Sequence, residues 1–376
     1  MPKYGVKGLA NLSIDFFAFK KARDEYIKRL HAIYHTNLSG SGVEYIEGMG
    51  SFVGDKIVKV NGETYTSDHI LVASGGKADN GNFEGAEHCL NSDDIFAMKD
   101  LPNEIVVIGG GYVALEMSQI LHSFGVKVTV VVRSSPLKFV DHEIVDVLLD
   151  EMEKSGIKVL LNAPHSKVEF QRFDGKLKLH LADGQSIVTE KILSAIGRPP
   201  NTDCLSLHKT GVQRTRGGLI TTDEFQNTSR EGIYAVGDVM DKGIALTPVA
   251  VRAGRILSER LFNNRPTLKM NYKNVSTVVF THPNIGKLGL SENEAVKEFG
   301  KDKVKIYRSK FTHMFYALIP PPQPGSGVHR PVSMYKLICN IEEDGTERVI
   351  GVHGIGRGID EMMQLASVAV NMGATK

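Results

Sequence analysis

The residues with the clearest chemical potential stand just after position 105. Gly109-Gly110-Gly111-Tyr112-Val113-Ala114 follows the apolar run Glu104-Ile105-Val106-Val107-Ile108 and precedes Leu115 to Phe124. Gly109 suits a tight turn and Gly111 lets the backbone approach a pyrophosphate. Small Ala114 lets a helix pack on a strand while its N-terminus faces the phosphates. The next apolar run, Val126 to Val132, ends at Arg133, where a chain gripping a ribose 2′-hydroxyl would carry Asp or Glu. A cation there suits a 2′-phosphate, so the pattern predicts NADP(H) rather than NAD(H), with Lys138 as a second clamp. The same residues also fit a Rossmann-like unit that holds no ligand.

Thiol chemistry is harder to place. Cys89, Cys204 and Cys339 lie far apart, so neither a disulfide framework nor a CxxC redox or zinc motif is readable. Cys89, beside Glu87 and His88, reads as an ordinary loop cysteine. The totals narrow the partners: 45 basic against 43 acidic residues give a net charge of +2, with no acidic tail and no basic stripe for nucleic acid. No apolar run approaches the ~18 residues that would cross a bilayer. Met1 to Ala10 carries Lys3 and Lys7 but no targeting pattern, so a cytoplasmic location is expected.

The elements that must position these residues follow from periodicity. At 376 residues the chain predicts two or three domains. Ser13 to Leu38 reads as an amphipathic helix, with Phe16, Phe19, Tyr26, Leu30, Ile33 and Tyr34 near helical spacing. A β-meander is expected next, from Val43-Glu44-Tyr45-Ile46, Lys56 to Val60 and Tyr65 to Ala73, running into Ser74-Gly75-Gly76. After the glycine turn come a helix over 143–155, a strand over 157–161, and hairpins turning at Asp174-Gly175 and Asp183-Gly184. Gly232 to Asp238 reads as a short strand ending in Gly-Asp, and Thr247 to Phe262 as a helix. Strands at 276–280, 304–310, 335–339 and 349–354 and helices at 291–299 and 358–372 complete the pattern, with a Pro-rich loop over 319–331.

Taken as a set, Ser74-Gly75-Gly76, Gly109 to Glu116, Ile196-Gly197-Arg198-Pro199, Gly232 to Asp238, Ala245 to Ala250, Phe280-Thr281-His282-Pro283 and Met372 to Lys376 follow a known order. The chain resembles the pyridine nucleotide-disulfide oxidoreductases. Arg23 to Tyr34, together with Arg133, is similar to the glutathione-reducing branch rather than the NAD-using lipoamide branch. The resemblance implies an α/β fold: a doubly wound NADP-binding Rossmann-like domain inserted in an FAD-binding domain, then an α+β dimerisation domain. The implied boundaries are 1–80 and 201–269 for the FAD domain, 81–200 for NADP(H) and 270–376 for a homodimer interface. It also implies a relay in which NADPH reduces FAD, the flavin reduces a Cys-x4-Cys disulfide, and the thiolate attacks glutathione disulfide.

Within that relay the resemblance assigns Gly50, Ser74, Gly75, Asp238 and Thr247 to FAD, and Gly197 and Arg198 to the NADP side. Tyr112 would cover the flavin until nicotinamide displaces it, and Glu116 would lie near the flavin and pair with a lysine of a segment not in this sequence. Tyr26, Tyr34 and Arg255 would contact glutathione. Asp238 is also compatible with a turn or cap, Arg198 with a solvated loop charge, and the two tyrosines with a helix packing face. Three parts of the family pattern are not in these 376 residues: a first GxGxxG for FAD, the Cys-x4-Cys pair and a terminal His-Pro-x-x-x-Glu-Glu. The expectation is thus a chain truncated at both ends and a flavin domain short of its core. A non-catalytic NADP(H)-binding, dimerising fragment and an NADPH-dependent flavin reductase without disulfide chemistry stand as alternatives.

Overall fold

The computed structural model describes residues 14–320 and 329–376. The stretch Met1–Ala10 read for targeting, and most of the Pro-rich loop over 319–331, lie outside the described residues. The chain divides into two compact units, one holding 79–197 with 273–376 and the other 17–78 with 198–272. No described helix is long and apolar enough to cross a membrane.

The second unit begins with α1 (Phe16–Gly40), which has no buried residue. The helical periodicity is realised, but the packing face expected of it is not: Tyr26, Ile33 and Tyr34 are all exposed. Val43 to Ile46 is also exposed and forms no strand. The antiparallel meander is β1 (Ser51–Gly54), β2 (Ile57–Val60) and β3 (Glu63–Thr66), turning at Asn61-Gly62. Tyr65 to Ala73 is therefore two strands, the second being β4 (Ile70–Val72), which leaves the meander to run parallel to a later strand, Ile233–Ala235. Phe52, Val72, Ile220, Ile233, Ala235 and Val239 form the core of this unit.

The first unit is built on a parallel sheet. The chain passes through α2 (Ser92–Ala97), β5 (Glu104–Ile108), α3 (Tyr112–Ser123), β6 (Lys127–Val131), α4 (His142–Ser155) and β7 (Lys158–Leu160). It then makes the antiparallel strands β8 (His165–Phe170), β9 (Leu177–Leu181) and β10 (Ser186–Thr189) before β11 (Lys191–Ser194) completes the sheet order β11-β5-β6-β7. The valine- and isoleucine-rich runs of β5 and β6 suit strands covered on both faces. Ile105, Val107, Val128 and Val130 pack against Leu115, Ile144, Leu148 and Met152 of the helices. Val106, Ile108 and Val131 pack against Val168, Leu177 and Leu179 of the β8–β10 sheet.

The rest of the chain adds β12 (Ile233–Ala235), α5 (Thr247–Phe262), β13 (Thr277–Val279), β14 (Ile285–Gly289), α6 (Glu292–Phe299), β15 (Val304–Phe311), β16 (Ser333–Ile341), β17 (Glu347–Ile355) and α7 (Ile359–Asn371). The last five strands form an antiparallel sheet in the order β13-β14-β17-β16-β15, in which β14 was not expected from sequence. The 79–197 and 273–376 segments share one core, since Val279, Ile285, Met334 and Ile355 join the cluster that contains β5, β6, α3 and α4.

A buried ionic cluster reinforces this union. Lys336, on β16, places Nζ 2.8 Å from Asp141, 2.6 Å from Glu143 and 2.6 Å from Glu292. Arg308 also bonds both Glu143 and Glu292. Asp141 caps α4 through the Glu143 amide and accepts the Glu292 amide at the start of α6. His353, fully buried, accepts the Asp141 amide at Nδ1 (3.3 Å), and its Nε2 lies 3.1 Å from the Leu290 carbonyl. Burial of Asp141 would raise its pKa, but Lys336 and the Glu292 amide hold it below the ordinary carboxylate range. Burial pushes the His353 imidazole down to about 4.

Candidate functional site

The glycine turn leaves the C-terminal end of β5 and starts α3. Gly109 has φ +140°, and a Cβ there would sit 2.3 Å from the Ala195 carbonyl oxygen and 3.3 Å from the Ala114 Cβ. Any side chain at 109 would break the crossing of β5, α3 and the end of β11, and Ala114, fully buried, is small for the same reason. Gly111 is the N-cap of α3, and a Cβ on it would meet nothing within 4 Å. Its role is not to make room for protein. It leaves the uncapped helix N-terminus open, where free backbone N–H groups and the helix dipole favour an anion.

The second half of the site comes from β6. Beyond Val131 the chain turns back, and the Leu137 amide donates to the Gly110 carbonyl at 2.8 Å, which ties the Lys138 segment to the glycine turn. Arg133 and Lys138 are exposed, and among the described residues neither has a carboxylate partner. Two cations are thus held beside a phosphate-type turn with no protein anion to neutralise them. These residues fit a dinucleotide, and the structure brings Gly109, Gly111, Ala114, Arg133 and Lys138 together at the C-terminal ends of the two central strands.

Tyr112 and Glu116 follow on α3. Tyr112 is exposed, whereas Glu116 is partly buried and its Oε1 accepts the Phe280 amide at 2.9 Å. Burial raises its pKa, against the opposing effect of that amide. No lysine pairs with Glu116 among the described residues; Phe280, in the Phe280-Thr281-His282-Pro283 motif, is its partner. Gln119, one turn on, grips the same motif, donating to the His282 carbonyl and accepting its amide. Gly197 lies exposed just beyond β11 at the end of this unit.

The other sequence-selected residues belong to the second unit. Ser74 donates to the Asn201 carbonyl at 2.7 Å, the Asn201 amide donates to Gly75, and Arg198 donates to Gly76. Ser74, Gly75 and Arg198 are therefore neighbours in a two-stranded crossing. Gly50 lies just before β1, half-buried near Val58. Asp238 sits in a short turn at the C-terminal end of β12, exposed, with no partner among the described residues. That turn rests on the start of α5: a Cβ at Gly237 would lie 3.2 Å from Ala250. Thr247 opens α5 and is exposed, and the helix has no side-chain N-cap. An unpaired carboxylate beside an open helix N-terminus fits a polyhydroxylated chain leading to a flavin ring.

Tyr26 and Tyr34 stand exposed on α1, with Arg29 over the Tyr26 ring at 5.2 Å. No bond or ring contact joins either tyrosine to Arg255 among the described residues, so the structure does not assemble these three. Arg255 instead lines a cavity of about 560 Å³ with Arg252, Ser258, Glu259 and Arg265. Its basic companions were not singled out from sequence, although Arg252 and Arg255 lie on one helix three residues apart. The Lys336 cluster was also missed. Its one sequence signal was Asp141, which sits as an N-cap ahead of the α4 pattern.

Neither buried cysteine is disposed to act as a nucleophile. Burial, then the Glu87 charge, pushes the Cys89 thiol up to about 12, and burial also raises that of Cys339. Cys204 is exposed near Asn201. Among the described residues no disulfide is formed.

Comparison with protein families agrees with this geometry over nearly the whole chain. The family model described as pyridine nucleotide-disulphide oxidoreductase matches residues 6–254. The model for the dimerisation domain of the same family matches residues 275–376. The glycine turn, the Gly-Asp turn and the five-stranded C-terminal sheet all fall within these matches, and the chain belongs to the pyridine nucleotide-disulphide oxidoreductases.

Proposed function

We propose that this chain is an NADP(H)-dependent member of its family, allied to glutathione-disulfide reduction and built to form a homodimer in the cytoplasm. The observation that carries the reading is Arg133, an unpaired cation at the end of β6, where the 2′-position of the adenosine ribose would lie. Family membership implies FAD and a pyridine nucleotide. When bound, they would supply hydride transfer from nicotinamide to flavin.

The chain's own residues supply placement. Gly111 and the α3 N-terminus would receive the pyrophosphate, while Arg133 and Lys138 would neutralise the 2′-phosphate. Asp238 would accept hydroxyl donors from a ribityl chain, Thr247 would meet the ring edge, and Gly50, Ser74 and Gly75 would complete the flavin side. Tyr112, exposed at the first turn of α3, is placed to cover a ring until nicotinamide arrives, with Glu116 one turn behind it. Gly197 and Arg198 would border the NADP side, and Tyr26, Tyr34 and Arg255 would meet glutathione. The raised, buried thiols of Cys89 and Cys339 favour a second reading, an NADP(H)-binding and dimerising protein without disulfide chemistry of its own.

The visible spectrum of the purified chain, recorded before and after anaerobic addition of NADPH, separates the two. Flavin bands that bleach support the reductase reading, and turnover with glutathione disulfide would establish its substrate. A colourless protein that still binds NADPH leaves the second reading. A chain that binds NADH as tightly as NADPH removes the NADP(H) assignment from both.

A further inference from the structure

The three parallel strands β5, β6 and β7 end side by side, and each C-terminal end carries a different kind of group. β5 ends in the glycine turn, β6 ends at Arg133, and β7 runs into a short segment that reaches His165 at the start of β8. The Val132 amide donates to the Leu160 carbonyl at 2.9 Å, and the Ala163 amide donates to Val132 at 3.0 Å. The segment leading to His165 is thereby held against the residue just before Arg133. The imidazole is half-buried, with the Phe83 ring edge-on to it at 4.7 Å. Among the described residues, no protein group bonds either ring nitrogen.

The charges around this ring are all of one sign or already matched. Arg133 acts on it from the end of β6. On its own strand and the adjoining loop, Lys167 is paired with Glu84 at 3.7 Å, and Glu169 is bonded to His180. Leu181 faces it from β9. An imidazole and a guanidinium thus share the outer end of a dinucleotide cleft, and among the described residues no carboxylate pairs with either. In the C-terminal crevice of a parallel sheet, the group reached after the pyrophosphate and the ribose is the 2′-substituent.

We propose that His165 is a third recognition group for the 2′-phosphate of NADP(H), alongside Arg133 and Lys138, and that it couples binding of that phosphate to proton uptake. The proposal rests on the NADP(H) reading above and names a residue and a pH dependence that the reading lacks. Burial, and then the Arg133 charge, hold the His165 imidazole below its ordinary value in the free protein. A phosphate dianion placed against both cations reverses that balance and favours the imidazolium. The proton is taken from solvent onto a ring nitrogen. Affinity for a 2′-phosphorylated ligand therefore rises as pH falls from 8.0 toward ~6.5, before the phosphate itself begins to protonate near ~6.

Calorimetric titration of the full chain with 2′,5′-ADP and with 5′-AMP, at about pH 8.0 and about pH 6.5 and in buffers of different ionisation heat, tests this. The expected result for 2′,5′-ADP is a gain of roughly 2- to 4-fold at the lower pH with net proton uptake, as for an upward shift of about one pKa unit from a free value below ~6.5. His165→Gln should flatten that profile, and 5′-AMP should show none of it. Absence of proton uptake by the wild-type chain, or a His165→Gln profile equal to wild type, overturns the proposal while leaving NADP(H) binding intact. If 2′,5′-ADP binds no tighter than 5′-AMP at either pH, the NADP(H) reading fails and this inference fails with it.

Discussion

At the scale of single residues, charge without a partner is the most informative feature of this chain. Among the described residues Arg133 has no carboxylate partner, so exchanging it for Glu removes a cation that the described fold does not use. Arg133→Glu should weaken NADPH binding by roughly 10- to 100-fold, the loss expected for a charge-assisted phosphate contact of about 1.5–3 kcal/mol, and spare NADH. Equal loss of both nucleotides in a fluorescence titration would count against a 2′-phosphate contact. Lys336 is the opposite case, a cation wholly committed to protein carboxylates. Lys336→Met leaves Asp141 buried without its counter-charge and should lower stability by about 3–5 kcal/mol in urea unfolding. The contrast shows what sequence could disclose. Arg133 was legible because its place is fixed within one βαβ unit, by a count from the glycine turn. Lys336 and His165 were not, since the groups beside them come from distant parts of the chain.

At the scale of elements, legibility followed burial. β5, α3 and β6 were readable because both faces of the strands are covered, giving valine- and isoleucine-rich runs, and α5 falls on the predicted bounds of Thr247 and Phe262. β14 was missed because its sequence, Ile285-Gly286-Lys287-Leu288-Gly289, spends two of five positions on glycine. The structure explains both: Gly289 has φ +66°, and a Cβ there would sit 2.1 Å from the Ile350 carbonyl oxygen. A Cβ at Gly286 would sit 2.4 Å from Met363 Cγ, so the strand gives up propensity to let α7 lie close upon it. Gly286→Val should then destabilise by about 1–3 kcal/mol through overpacking. Gly254, inside α5 with nothing within 4 Å of its Cβ position, offers the opposite sign: Gly254→Ala should stabilise by about 1 kcal/mol. Paired thermal melts read both, and a destabilised Gly254→Ala would mean that α5 packs more tightly there than its structure shows. The α1 helix marks the limit of periodicity. Its spacing specified a helix but not a surface for it to cover.

At the scale of the whole molecule, α7 lies in the segment matched by the dimerisation-domain model and carries a face suited to the proposed second copy. Ile359, Met363 and Val370 face the sheet, while Met362, Leu365, Val368 and Met372 form an exposed apolar stripe. Replacing Leu365 and Val368 together by Glu should convert a dimer to a monomer in sedimentation without altering the 2′,5′-ADP affinity; a dimer that persists would place the interface elsewhere. The acid response also belongs to this scale, because His353 links α4 to the C-terminal sheet. Its folded value, about 4, lies below the ordinary 6.5. The unfolded chain therefore binds the proton first, and stability is full above pH ~6.5 and lost as pH falls toward ~4, by about 3 kcal/mol. His353→Asn should flatten that part of the stability–pH curve, and an unchanged slope would assign it to other groups. The Asp141–Lys336 bond has a further consequence in time, because its two ends are 195 residues apart. At a synthesis rate of about 5–20 residues per second, the nascent chain carries Asp141 for roughly 10–40 s before its cation has been made. The nucleotide-binding segment thus leaves the ribosome with an acidic gap in its core, and its final consolidation waits until Lys336 has been made.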